Sequence, residues 1–354
     1  MSELGTAQVI RANARNLPLA DNSVDLVVTS PPYFALRSYQ DGGEHYDGQI
    51  GAEPTPAEFV DALLEVTREC VRVLKPSGSL WVNLGDKYAQ SASQWQGSRR
   101  GGGESSQVSK RHLSANAFMQ GDWSDAPAMG RPKSLIGIPW RYALRCIDDL
   151  SLILRAEVIW SKPNGLPESV TDRVRRSHEQ WFHFTLEPRY FSAVDEIREA
   201  HKYPDDLRHL RGGRRSVNPD GSDAGGNTSS ANPLGKLPGS VWTVPTEPLR
   251  VPDHLGVDHF AAFPTAWPRK IITAWCPEGG NVLDPFGGTG TTAMVAKALG
   301  RHGISVDMSA DYCRLAQWRT NDRDQLAKVL GIAKVEQQPD DQLSMLDLLD
   351  GGAA

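Results

Sequence analysis

Asp284-Pro285-Phe286-Gly287-Gly288-Thr289-Gly290-Thr291-Thr292 joins a short apolar run, Asn281 to Phe286, to a segment of helical composition. At such a junction glycines let backbone approach a ligand, and a helix N-terminus offers unpaired N–H groups. Asp284, Phe286, Gly288, Gly290 and Thr291 are the residues this places against a small molecule. A phosphate-binding P-loop needs Lys before its Ser/Thr, and Gly290 stands there, which argues against nucleotide hydrolysis. GGTGTT also lacks the third glycine of a dinucleotide fingerprint. The next apolar run ends at Asp307, about twenty residues on, where a carboxylate can bind the ribose hydroxyls of an adenosine-containing ligand.

A second chemical segment is Thr29-Ser30-Pro31-Pro32-Tyr33, at the end of the β-branched run Ser23 to Ser30. Two prolines fix the backbone and remove two N–H donors, so nearby carbonyls can point into a pocket. Ser30 and the Pro31 carbonyl can accept hydrogen bonds from an amino group. Tyr33 offers a ring face to a planar base. Alone, SPPY reads most simply as a turn ending a strand; beside the glycine-rich segment it gains chemical meaning.

Elements must position these segments, and the chain supplies them in alternation. Phe59, Leu63, Val66, Cys70 and Val73 recur at helical spacing until Pro76-Ser77-Gly78, and Ser79 to Gly85 predicts the next strand. Residues 86–133 turn polar and rich in Gly, Ser and Gln, the composition of a long loop. A helix around Trp140 to Leu150 and strands at Leu152 to Trp160 and Gln180 to Leu186 follow. Residues 201–238 lack periodicity. Asn281 to Phe286, Thr291 to Leu299, His302 to Asp307 and Ser309 to Leu330 then alternate strand and helix as in a parallel α/β sheet.

Composition excludes several classes. With 354 residues the chain can hold one large α/β domain and a small module. Its start lacks a signal-peptide core, and no uninterrupted apolar stretch approaches the roughly twenty residues of a membrane span. A cytoplasmic protein is expected. Cys70, Cys146, Cys276 and Cys313 lack the spacing of a zinc site and read as buried thiols. His178 and His183 in HEQWFH are one residue too far apart for the HExxH metal motif, so no metal is expected. The net charge is −5, and Glu336, Asp340, Asp341, Asp347 and Asp350 of the tail account for all of it. Basic residues cluster instead at Arg99 to His112, at Arg173, Arg175 and Arg176, and between Arg198 and Arg215, and phosphate contacts need only one such face.

The pair SPPY and DPFGGTGTT strongly resembles the amino-methyltransferases of DNA, specifically the permuted group in which the PPY motif precedes the cofactor-binding strand. The resemblance spans most of the chain: Asn22 to Asp25, Arg72 to Pro76, Asn83 to Asp86, Ile138 to Trp140, Trp160 to Asn164 and His259 to Pro264 match family patterns. It implies an α/β, Rossmann-like fold with a mostly parallel seven-stranded sheet, helices on both faces, and S-adenosyl-L-methionine as cofactor. Residues 1–197 would form the catalytic half, 198–242 the target-recognition region, 243–332 the cofactor-binding half and 333–354 an acidic tail. Phe260, Phe263 and Pro264 would pack beside the methionine end of the cofactor. Arg208, Arg211, Arg214 and Arg215, with Arg173, Arg175 and Arg176, would contact double-stranded DNA. Asn13 departs from the acidic residue usual near the cofactor adenine.

Ser30 before the two prolines points to cytosine N4 as the acceptor, since relatives acting on adenine N6 usually carry Asp or Asn there. Adenine N6 is the alternative, and a DNA-binding protein with the same fold but no transfer is the alternative from another class. Carbon-5 methylation needs a nucleophile in a Pro-Cys context, and no Pro-Cys occurs. A restriction endonuclease is an expected companion, and the protein would associate with the nucleoid. In the tail, Gln342-Leu343-Ser344-Met345-Leu346 resembles a bacterial sliding-clamp-binding peptide, a terminal motif on a flexible acidic spacer; docking on the enzyme's own surface is the simpler alternative.

Overall fold

The computed structural model describes residues 4–34, 40–41, 44–45, 48–89, 131–165, 167–201, 232–249, 251–257 and 263–331. Arg208, Arg211, Arg214, Arg215, Phe260, the clamp-like peptide and most of the 86–133 loop lie outside them.

One mixed sheet organises the rest. Its strands are β1 (Thr6–Arg11), β2 (Val24–Thr29), β3 (Leu74–Leu84), β4 (Ile153–Ser161), β5 (His178–Thr185), β6 (Val241–Thr243), β7 (Asn281–Asp284) and β8 (His302–Asp307). Their spatial order is β1-β8-β7-β2-β3-β5-β4-β6. Neighbours pair in parallel, except that β5 runs antiparallel to both β3 and β4. The sheet has eight strands where the resemblance implied seven. The last, β6, is a three-residue edge strand flanked by Pro238 and Pro245, too short to show an alternating pattern.

Period-two alternation divides the strand residues between two cores. Val27, Leu80, Val82, Phe182, Phe184 and Leu283 enter one, which α1 (Pro56–Val73) and α2 (Ile138–Leu150) cover through Phe59, Leu63, Tyr142 and Cys146. Leu26, Val28, Trp81, Trp181 and Val282 enter the other, under α3 (Ala266–Trp275), α4 (Thr291–Ala298) and α6 (Arg323–Leu330). Helices therefore cover both faces. The helical spacing from Phe59 to Val73 marks α1's buried side, and Thr55 with Glu58 closes a capping box at its start. The helix expected from Ser309 to Leu330 is two: α5 (Ala310–Asn321) stops at Asp322, which leaves helical backbone and caps α6 by accepting from Gln325 N. Strand β1, with half-exposed and exposed residues in TAQVIR, has too weak a pattern to announce itself.

No described helix is long and apolar enough to cross a membrane. All four cysteines are buried, and burial pushes the thiols of Cys146 and Cys276 up to about 12, so neither is a thiolate at neutral pH. HEQWFH is strand β5, where residues five apart point to opposite faces, so its histidines cannot share a ligand.

Candidate active site

The two chemical segments leave the C-terminal ends of adjacent parallel strands. Strand β2 pairs with β7 at Leu26↔Val282 and Val27↔Leu283, so SPPY and DPFGGTG emerge side by side. A buried latch joins them. Thr29 Oγ1 donates to Asp284 Oδ1 at 2.7 Å, Thr292 Oγ1 donates to Asp284 Oδ2 at 2.8 Å, and Phe286 N donates to Oδ1 at 3.1 Å. Burial raises the Asp284 carboxyl to about 6, while these three donors act to lower it. Asp284, expected against the ligand, sits behind the loop as its anchor.

Between the strand ends lies a cavity whose lining brings together Asn13, Ser30, Pro32, Phe286, Gly288 and Asp307 of the expected residues. Ala12, Ile50, Met308 and Tyr312 complete much of its wall. Gly288 has φ +47°, and a Cβ there would meet only Phe286 O at 3.8 Å, so its bare backbone faces open space. Gly290 has φ +73° and is packed from below, since a Cβ would come within 2.9 Å of Ala316 Cβ. Asp307 holds the loop closed: its Oδ2 accepts from Gly288 N and its Oδ1 from Ser309 N, both at 2.9 Å.

Ser30 enters a network that the sequence did not announce. Its Oγ donates to Asn83 Oδ1 at 3.2 Å, and Asn83 Nδ2 donates to Gln180 O at 3.1 Å, which fixes the orientation of the amide. Tyr33 Oη lies 2.8 Å from Asn83 Oδ1 and 2.7 Å from Glu179 Oε2, so its one proton serves one acceptor or the other. Lys162 Nζ donates to Glu179 Oε1 at 2.5 Å and stands 4.1 Å from the centre of the Trp160 ring. The Tyr33 ring packs so near Gly85 that a Cβ there would lie 2.6 Å from its Cε2. Asn83 and Glu179 both come from the β3–β5 pair; the register Thr29↔Val82 puts Asn83 one step on, beside Ser30.

Other expected residues fall elsewhere. Pro31 is buried in the turn, and Pro264 precedes α3. Thr291 begins α4, where its hydroxyl faces Arg319, and Phe263 lines a separate cavity with Arg319 and Lys328. Of the three described arginines, Arg173 pairs with Glu168 at 2.7 Å and covers the Tyr88 ring at 3.8 Å. Arg175 donates to Gly165 O, and Arg176 approaches Asp86 at 3.8 Å. Asp86 is taken up by Gly137 N and Ile138 N at the start of α2. Among the described residues no cluster of three His, Cys, Asp or Glu could hold a metal.

A Rossmann-like sheet thus carries a glycine loop, a carboxylate after the next strand and an acceptor-rich SPPY turn at the C-terminal ends of neighbouring strands, the layout that the resemblance to amino-methyltransferases implies. The DNA methylase family of N6 and N4 amino-methyltransferases matches residues 24–318, and the chain belongs to it. The Type II methyltransferase M.SmaI of Serratia marcescens is 33% identical over 321 residues, covering 90% of this chain and 92% of that protein. M.Cfr9I of Citrobacter freundii is 33% identical over 326 residues, covering 91% of this chain and 90% of its own. Among solved structures, the cytosine-N4-specific PvuII DNA methyltransferase superposes with a TM-score of 0.59 at 18% identity, covering 93% of both chains. The fold is shared. As a DNA methylase the protein takes its methyl group from S-adenosylmethionine and places it on DNA.

Proposed function

We propose that this chain is a Type II methyltransferase that modifies the exocyclic N4 amine of cytosine in double-stranded DNA after the base is flipped out, at a cost of a few kcal/mol. The observation that carries this reading is the Ser30–Asn83 contact at the cavity wall. Asn83 Oδ1 takes the Ser30 proton, leaving the Oγ lone pairs to accept from an amine. An aspartate at position 30 would face that same amide oxygen with no proton to give.

S-Adenosylmethionine supplies an electrophilic methyl group on a sulfonium. The cavity suits its adenosine: Asp307 is assigned to the ribose hydroxyls, and Asn13, Phe286, Met308 and Tyr312 surround the remaining space. Ser30 Oγ and the Pro31 carbonyl accept the two amine protons, which favours a pyramidal nitrogen and frees its lone pair. Tyr33 holds the base. Alignment and electrostatics carry the acceleration, with no covalent enzyme intermediate.

Ser30→Ala should cut methyl transfer about a hundredfold, the scale of losing one polar partner of the reacting group, with cofactor affinity unchanged. Ser30→Asp should not restore it. Near-normal transfer by the alanine variant would sink the reading. Three partner readings go with it: duplex DNA held by the arginines of 198–242, a cognate restriction endonuclease, and a bacterial sliding clamp bound through Gln342 to Leu346. A peptide of the last twenty residues should bind such a clamp with roughly micromolar affinity and lose it on Gln342→Ala; no binding at high micromolar clamp removes that partner.

A further inference from the structure

Arg319, in the last turn of α5, is 4% exposed, and no described carboxylate forms an ion pair with it. Glu247 lines the same second cavity as Arg319 and acts on it through space, but its own oxygens are taken by Lys328, Thr265 N and Thr265 Oγ1. Among the described residues the buried Nε of Arg319 has no hydrogen-bond partner. Burial lowers its pKa to about 10, which leaves the guanidinium charged at neutral pH. A buried, unpaired cation is costly unless something anionic completes it.

What it touches is the glycine loop. Arg319 Nη1 donates to Thr289 Oγ1 at 2.8 Å and to Thr291 Oγ1 at 2.6 Å, bracketing Gly290 from behind. The two hydroxyls lie 3.1 Å apart, so one donates to the other. Two hydroxyls carry two protons. Among the described residues the second proton has no acceptor, and it sits at the start of α4, which opens at Gly290 without a side-chain cap. Thr289 also lines the cofactor cavity. A spare hydroxyl donor and an uncapped helix start thus meet at one end of that cavity, and Arg319, which lines the separate cavity of Phe263 and Lys328, sets its buried charge directly behind them.

We propose that Arg319 is a positioning residue for the carboxylate of the methionine part of S-adenosylmethionine, fixing the Thr289 and Thr291 hydroxyls so that one donates to it. This rests on the reading that the loop holds the cofactor. Arg319 acts through the threonines and through its charge, without touching the reacting atoms.

The test compares two ligands by calorimetry on the full chain: S-adenosylmethionine, and 5′-methylthioadenosine, which keeps the adenosine and lacks the amino-acid part. Arg319→Met should weaken S-adenosylmethionine about tenfold or more and leave 5′-methylthioadenosine within about twofold. Arg319→Lys should recover part of the loss, and Thr291→Val should reproduce the selectivity should the methionine variant fail to fold. Equal weakening of both ligands, or of neither, would overturn the proposal and leave Arg319 a structural brace. Asp307→Asn separates the underlying reading, since it should weaken both ligands alike. Unchanged binding of both in that variant, beside a selective loss in Arg319→Met, would move the adenosine elsewhere while keeping the carboxylate site.

Discussion

Tyr33 combines a ring and a hydroxyl whose roles separate by substitution. Tyr33→Ala removes the ring that would hold the flipped base, worth about 1–3 kcal/mol as stacking, and should lower transfer by orders of magnitude once misalignment of the amine is added. Tyr33→Phe keeps the ring and removes the hydroxyl whose one proton serves Asn83 or Glu179, and should cost about tenfold. Steady-state rates with cofactor titrations check both, and a phenylalanine variant as inactive as the alanine one would make the hydroxyl network the larger contributor. Ser30, Phe286, Gly288 and Asp307, which the fold gathers around one cavity, could be singled out because residue type and distance along the chain sufficed. Asn83, Glu179 and Lys162 were visible only as letters in motifs, since their meeting with Tyr33 depends on three strands pairing. Arg319 gave no signal: a basic residue in a polar helix reads as solvated until packing buries it.

Strand β2 is tied to strand β7 through Asp284, so the relative placement of the two motifs rests on a few buried hydrogen bonds. Thr29→Val keeps the shape and removes one donor, leaving a buried carboxylate less satisfied. A loss of about 1–3 kcal/mol in unfolding free energy, with weakened cofactor binding, is expected; an unchanged denaturation midpoint would show that the latch is dispensable. Strand β5 sets a pH dependence. Burial drives His183 down to about 3 from an ordinary 6.5, so it folds neutral between the Trp81 and Trp275 rings. The unfolded state takes up the proton first, so this contribution is whole above about pH 6.5 and is lost as pH falls toward 3. Asp284, raised from 3.8 to about 6, acts in the opposite sense over that window, so the comparison must be with a variant. Melting temperatures should fall less between pH 7 and pH 5 in His183→Gln than in the parent; parallel slopes would contradict this. Strands with β-branched, buried runs were readable from sequence, whereas β1 and β6 were not, because an edge strand with one wet face has little pattern to show.

For the whole molecule, the two-sided core follows from strand alternation plus amphipathic helices; the residue pattern carried the alternation of strand and helix, and the covering of both faces came with the family resemblance. Phe59→Ala, at a fully buried position of α1, should cost about 3–5 kcal/mol by chemical denaturation. Charge distribution required more than the net value. Reversing Arg211, Arg214 and Arg215 should weaken duplex binding, flatten its dependence on log salt by about 0.9 for each phosphate no longer neutralised, and leave cofactor affinity intact. An unaltered salt slope would remove these arginines from the interface. The central claim, transfer to the N4 amine of cytosine at the SPPY turn, is tested most directly by exposing unmodified duplex DNA to the purified protein with S-adenosylmethionine, digesting it to nucleosides and weighing them. N4-methylcytosine as the product is the predicted result; N6-methyladenine alone, or 5-methylcytosine, or no methylated nucleoside on any duplex, would contradict it.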